Sequence, residues 1–250
     1  MPKVSIIMPA YNSASFIDRS IESVVQQDFP DWELIVADDC SSDNTVEIVE
    51  GWASRDFRIR LIRMPNNAGP GPARNAGVDL AAGRFIAFLD SDDIWLPSKL
   101  TKQLAFMSAE GVALSYTAYK KISASDTVGS QIFFDAPSTT YRALLDRCVI
   151  QNSSAMYDTA KVGKVHFPNL RRRQDHALYL KLLQKTPIAK GLNEPLMHYR
   201  IRPGSVSSNK FKNIKYQWYL YRVAGDLNVP QSIYQLFVWA LYGTRKYLRF

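Results

Sequence analysis

The sequence predicts an α/β fold with a mostly parallel central sheet flanked by helices, followed by a C-terminal helical extension. Three observations carry that prediction. Short apolar runs alternate with amphipathic stretches through residues 4–90. The run Phe85-Ile-Ala-Phe-Leu89 is apolar at every position, as in a parallel strand buried on both faces. Most of the runs end in polar, aromatic or acidic residues, which is where open α/β sheets bind ligands.

Taken in order, Val4–Met8 reads as the first strand, broken by Pro9-Ala-Tyr-Asn12. The following helix takes Ser15 as its N-cap and sets Ile17, Ile21, Val24 and Val25 on one face. Trp32–Ala37 is the second strand, ending in Asp38 and Asp39, and a helix from Ser42 carries Val46, Val49 and Trp52. Ile59–Ile62 is the third strand, and Pro65–Pro72 is a loop before a helix starting near Ala73. The fourth strand, from Phe85, ends in Asp90, Asp92 and Asp93. This order implies right-handed crossovers. Beyond Val112–Tyr116 the parallel pattern weakens. Residues 122–134 read as a hairpin or irregular strands, Tyr141–Arg147 as a short helix and Ser153–Tyr157 as a strand. A helix then places Asp175 near its N-terminus, Leu178, Leu182 and Leu183 on its buried face, and His176 on its surface.

Apolar content of 46% over 250 residues supports a substantial core. Cys40 and Cys148 make neither a disulfide framework nor a metal knuckle, no charged-then-apolar segment opens the chain, and no apolar run reaches the length of a membrane span. These features predict a reducing, cytoplasmic setting. The net charge of +8 raises nucleic acid or anionic lipid as partners. Its distribution argues against nucleic acid: residues 200–250 hold nine of the 31 basic residues and one of the 23 acidic ones, so the excess belongs to the tail.

By the strand-end rule, Tyr11 and Asn12, Asp38 and Asp39, and the acids after the fourth strand gather along one sheet edge. Three adjacent carboxylates repel one another unless a cation or basic group compensates. Asp90 and Asp92, two apart on an extended segment, share a face, and Asp93 points elsewhere. Mg²⁺ or Mn²⁺ bridging a diphosphate suits such a pair. A dinucleotide fold competes, but no G-x-G-x-x-G follows the first strand, and a phosphate-binding P-loop is absent.

Six motifs in order then bear a resemblance: Ser5–Asn12, Ala37–Asp43, Asn67–Gly77, Phe88–Asp93, Arg173–Leu183 and Tyr199–Ser208. Over residues 3–210 the chain resembles the family 2 glycosyltransferases, inverting enzymes of the GT-A fold that use nucleotide-activated sugars. The resemblance implies a catalytic domain over 1–210, with a nucleotide-sugar half (1–111) and an acceptor half (112–210), and a basic amphipathic tail over 211–250. It implies that Pro9, Ala10 and Tyr11, continuing to Asn12, cup a base, for which uracil fits best, and that Asp39 hydrogen-bonds it. Asn67, Gly69 and Arg74 would line the ribose and diphosphate. Asp90 and Ser91 would face the ribose or sugar, Asp92 would hold Mn²⁺ or Mg²⁺, and Asp175 would be the catalytic base. Gln174 stands where the family often has Glu, and Arg202 where many relatives carry a His, which points Arg202 at the diphosphate.

The function so implied is transfer of a sugar from a UDP-sugar to a glycan or polyprenyl-diphosphate-linked acceptor in surface polysaccharide synthesis. A lipid diphosphate would give Arg171, Arg172 and Arg173 a use, the other reading being a solvated patch. A non-catalytic nucleotide- or carbohydrate-binding module and a sugar nucleotidyltransferase are the alternatives. In the tail, residues 211–227 read as a helix, Asn228-Val-Pro230 as a break, and a second helix from Gln231 sets Ile233, Leu236, Phe237, Ala240, Leu241, Tyr247 and Leu248 on one stripe. Packing on the catalytic domain, lying on an anionic membrane at the inner face of the cell membrane, and a homodimer contact are the uses open to it. Residues 202–209 have the composition of a mobile loop that closes over donor.

Overall fold

A computed structural model describes residues 2–170, 172–202 and 210–247, with the backbone course alone for residues 210–213 and 241–247. The strands are β1 (Val4–Ala10), β2 (Trp32–Asp38), β3 (Ile59–Arg63), β4 (Phe85–Phe88), β5 (Ile94–Trp95), β6 (Leu114–Ile122), β7 (Val128–Phe133), β8 (Ser138–Thr139), β9 (Met156–Asp158) and β10 (Ala189–Arg200). The helices are α1 (Ile17–Val25), α2 (Thr45–Ala53), α3 (Pro70–Leu80), α4 (Lys99–Glu110), α5 (Tyr141–Asp146), α6 (Thr159–Val162), α7 (Gln174–Leu183), α8 (Lys210–Val223) and α9 (Val229–Tyr247).

One sheet in the order β3-β2-β1-β4-β9-β6-β10-β5 runs through both halves, with β7 on β6 and β8 on β10. β1 pairs in parallel with both β2 and β4, so the order reverses around it and a crevice opens at the ends of β1 and β4. The β4–β9 and β6–β9 pairs are antiparallel. Alternate residues of the buried strands feed two cores. Ile7, Ile35, Ile86 and Phe88 meet α3, α5, α7 and α8 on one face, and Ile6, Leu34, Val36 and Ala87 meet α1, α2 and α4 on the other.

Several local expectations are corrected. β1 continues through Pro9 and Ala10, since Pro9 pairs in register with Ala37 rather than breaking the strand. Ser15 is not the cap of α1. That helix starts at Ile17, and the Ser13 carbonyl accepts from the N–H groups of Phe16 and Ile17. α2 starts three residues after Ser42, where Asp43 accepts from the Thr45 N–H at 3.1 Å. α3 begins at Pro70, inside the expected loop. Proline fits a first helical turn because its missing N–H would be unpaired there, and Gly69 at φ 92° supplies the entry. His176 is buried rather than on the helix surface. Its Nε2 lies 2.7 Å from the Leu144 carbonyl, and burial pushes its pKa down to about 4.

The tail helices pack on the preceding part of the chain. Leu220 and Tyr221 of α8, with Ala224 just after it, join the core beside Leu144 and Leu145, and the Tyr221 hydroxyl donates to the Leu145 carbonyl at 3.0 Å. The expected stripe on the last helix divides: Leu236 packs against the core, while Ile233, Phe237 and Ala240 are exposed. The side chains of Leu241, Tyr247 and Leu248 lie outside the described residues, as do Arg171 and the loop 203–209. No helix among the described residues is long and apolar enough to cross a membrane.

Candidate functional site

After β4 the chain turns through Asp90-Ser-Asp-Asp93 into β5, which pairs with β10. Each carboxylate meets a different neighbour. Asp93, 1% exposed, accepts from Ser153 Oγ at 2.5 Å and from the Arg200 N–H at 2.9 Å. Burial drives its carboxyl well above the usual range, and the Asp90 and Asp92 charges add to the rise. It is a structural peg, turned away from its two neighbours. Half-buried Asp90 accepts from Arg74 Nη2 at 2.6 Å and Asn152 Nδ2 at 3.0 Å. Asp92 pairs with Arg202, 2.8 Å from Oδ2 to Nε. Burial raises the Asp92 pKa and the Asp90 charge raises it further, against the pull of Arg202. The compensation that three acids require is thus supplied in part by Arg74 and Arg202.

Among the described residues, no group of three or more His, Cys, Asp or Glu side chains forms a closed metal cage. An open Mg²⁺ or Mn²⁺ site needs only one or two carboxylates, with phosphate and water completing the shell. Asp92 fits that role. It is a hard oxygen donor beside a second carboxylate, and the cation now holding it is a side chain that remains 38% exposed.

The support beneath this turn was not visible in the sequence. A 3₁₀ turn at Asn152–Ser154 places Asn152 on Asp90, Ser153 Oγ between Asp93 and the Asp90 N–H (3.0 Å), and the Ser153 carbonyl on Trp95 Nε1 (2.8 Å). Buried Lys99 reaches the Ser154 carbonyl at 3.4 Å and also donates to Gln103, and burial takes its pKa down to about 7. Arg200 donates from Nε to the Asp92 carbonyl at 2.7 Å and from Nη1 to the Ser123 carbonyl at 2.8 Å, and pairs with Asp126 at 2.8 Å. The Phe16 ring lies 4.9 Å from the Arg200 guanidinium and 5.7 Å from that of Arg202. Polar residues at zero or near-zero exposure are the signal, and only the fold reveals it.

The residues expected around a base lie on the loops after β1 and β2. Tyr11 is half exposed beyond buried Pro9 and Ala10. Asn12, at φ 46°, accepts from the Ser42 N–H at 2.8 Å and so ties the two loops together. Asp39 accepts from the N–H groups of Ala68 (2.8 Å) and Gly69 (2.7 Å), and Asn67 donates to the Asp39 carbonyl at 3.0 Å. These bonds fix the loop that feeds α3, and each Asp39 oxygen keeps a second lone pair. Ser91 does not open to the crevice: its hydroxyl is buried against Ser13 Oγ at 2.8 Å.

Asp175 stands half-buried in the first turn of α7, after Arg173 at φ 57°. A hydrogen-bonded path joins this helix to the acid turn. The Tyr179 hydroxyl donates to Asn152 Oδ1 at 2.9 Å, and Asn152 Nδ2 donates to Asp90. Burial raises the Tyr179 pKa well above normal, and Asp175 and Asp90 both add to it, so the phenol feels both acids. Gln174 touches α3: a Cβ on Gly71 would collide with Gln174 Oε1 and lie 3.5 Å from Cδ. That oxygen is the far end of a flexible side chain, so Gly71→Ala is expected to be met by a shift of Gln174, with little change in the thermal unfolding temperature; a large fall in that temperature would show the contact to be rigid.

Comparison with known proteins gives a consistent picture. The family model "Glycosyl transferase family 2" matches residues 5–165. TuaG of Bacillus subtilis, named for teichuronic acid biosynthesis, is 39% identical over 248 residues, covering 99% of this chain and 98% of that protein. WfgD of Escherichia coli, a UDP-Glc:α-D-GlcNAc-diphosphoundecaprenol β-1,3-glucosyltransferase, is 39% identical over 250 residues, covering 98% and 94%. Among solved structures, Staphylococcus aureus TarS with UDP-GlcNAc superposes with a TM-score of 0.72 at 24% identity, covering 95% of this chain and 71% of that one. The mannosyltransferase PcManGT of Pyrobaculum calidifontis, with GDP-Man and Mn²⁺, gives 0.71 at 16% identity, covering 95% and 68%. These two structures bear on the fold alone.

Proposed function

The chain belongs to glycosyl transferase family 2, is a glycosyltransferase and has the GT-A fold, and from that premise we propose an inverting, UDP-sugar-dependent transfer to a lipid-diphosphate-linked glycan acceptor, carried out at the inner face of the cell membrane. The observation that carries this reading is the path Tyr179–Asn152–Asp90, which ties the helix bearing Asp175 to the acid turn. UDP as donor nucleotide and a diphosphoundecaprenol-linked acceptor are what WfgD is named for, and its likeness over nearly the full chain supports extending them here.

In this reading Asp175 takes the proton of the acceptor hydroxyl while that oxygen attacks the anomeric carbon. The bond from that carbon to the diphosphate oxygen breaks on the opposite side, the configuration inverts, and UDP leaves with the bonding electrons. Tyr11, with Pro9, Ala10, Asn12 and Asp39, holds the base. Asn67, Gly69, Arg74, Asp90 and the backbone at Ser91 line the ribose, diphosphate and sugar. Asp92 would hold Mg²⁺ or Mn²⁺, whose positive charge would offset the charge developing on the departing diphosphate. Arg202, released from Asp92, adds a second cation there.

A panel of nucleotide sugars tests the reading by UDP release with Mn²⁺ or Mg²⁺. A UDP-sugar is expected to be turned over in preference to GDP- and dTDP-sugars, and turnover confined to another nucleotide would overturn the donor assignment.

A further inference from the structure

Helix α9 is inverted relative to an ordinary surface helix. Ser232 is 0% exposed and Gln235 is buried with its amide on Asp146, so polar side chains face the protein. Val229, Ile233 and Phe237, four apart and hence on one face, look outward, with Ile233 59% and Phe237 64% exposed and Tyr234 beside them. Helix α8 adds exposed Tyr219 and Val223, also four apart. Exposed apolar side chains on both of two paired helices are costly in water unless something covers them.

Charge identifies the cover. Residues 210–250 hold seven Lys and Arg against Asp226 alone, and Lys215 and Arg222 are exposed on α8 beside these apolar residues. A second copy meeting this face across a two-fold axis would set the same basic segment against itself. An anionic surface has no such conflict. The same helices hold the approach to the base: the Arg172 guanidinium lies 5.9 Å from the Tyr216 ring of α8, and that of Arg173 lies 5.1 Å from the Trp239 ring of α9.

We propose that the outward face of α8 and α9 is a docking surface for an anionic phospholipid membrane, with Ile233, Phe237 and Tyr234 entering the acyl boundary and the basic residues meeting headgroups. The inference extends the reading of a lipid-linked acceptor, since docking there would bring the segment before Asp175 to the membrane. It does not depend on the donor.

Sedimentation of the full chain with phosphatidylcholine vesicles, with and without phosphatidylglycerol, tests it, with UDP binding measured in parallel. Binding is expected only with phosphatidylglycerol. The double change Ile233→Ser and Phe237→Ser should weaken it at least about tenfold, since each side chain loses the benefit of leaving water. Lys215→Glu should weaken it as well, and all variants should keep wild-type UDP affinity and thermal unfolding. Wild-type protein that stays in solution with anionic vesicles, or a double variant that binds them equally, overturns the proposal. So does a dimer in sedimentation velocity that the double variant abolishes, which would assign the face to a second copy. Loss of UDP binding in the wild type would instead count against the donor reading and leave the vesicle result standing.

Discussion

Replacement of Asp175 by Asn is expected to reduce turnover by a factor of about 10²–10⁴, the range that a positioned general base contributes. The change is nearly isosteric. It removes the ability to accept a proton and one favourable charge at a helix N-terminus, the latter worth about 0.3–1 kcal/mol, so the fold should persist. Because the path to Asp90 runs from Tyr179 of the same helix through Asn152, and not from the Asp175 carboxyl, UDP affinity should stay within about twofold, the loss falling on a step after donor binding. The check is a paired measurement of UDP release and UDP binding by calorimetry. Full retained activity removes Asp175 as the base. A parallel loss of UDP binding shows that the path to Asp90, rather than proton transfer, is what the residue maintains.

Replacement of Asp92 by Ala is expected to abolish the gain in UDP affinity that Mn²⁺ or Mg²⁺ provides, an effect of at least about tenfold if one carboxylate anchors the ion. Arg202→Met makes the complementary case. It removes the cation that occupies Asp92 without a ligand (2.8 Å) and also one that the diphosphate would use. Mn²⁺ should then bind the nucleotide-free protein more tightly, as read by electron paramagnetic resonance, while UDP binds more weakly in calorimetry. Opposite signs in the two titrations are the signature of one arginine serving two anions in turn. An unchanged metal dependence in Asp92→Ala would sink the metal assignment, and unchanged Mn²⁺ affinity in Arg202→Met would sink the exchange.

Local pattern was enough to read most of the first half. The runs that form β1, β2 and β4 are largely apolar because the sheet buries both their faces, and no distant partner is needed to see that. Errors arose where a residue's role is set by contacts far along the chain. Pro70 and Pro72 look like loop residues, yet the first turn of a helix tolerates them. His176 sits among polar residues in sequence, but the turn of α7 directs it to the Leu144 carbonyl. β10 was not anticipated, since Pro195 interrupts its pattern and the register shifts there. Asn152, Ser153 and Arg200 are 60 to 108 positions from the acids they serve, a distance at which no periodicity carries information. On the last helix the expected stripe divides between the core, at Leu236, and solvent, at Ile233 and Phe237, because a pattern does not say which face meets the protein.

The acid turn has a consequence for recombination among relatives. Asp90, Asp92 and Asp93 lie before residue 112, but the groups that shape them, Ser153, Asn152 and Arg200, lie after it. Grafting residues 112–210 of a relative onto the first half would therefore also exchange the scaffold under the acid turn. A chimera that keeps the geometry of that turn must carry residues 152–154 and the end of β10 together with residues 1–111. A division of the chain at residue 112 cuts through one hydrogen-bonded unit.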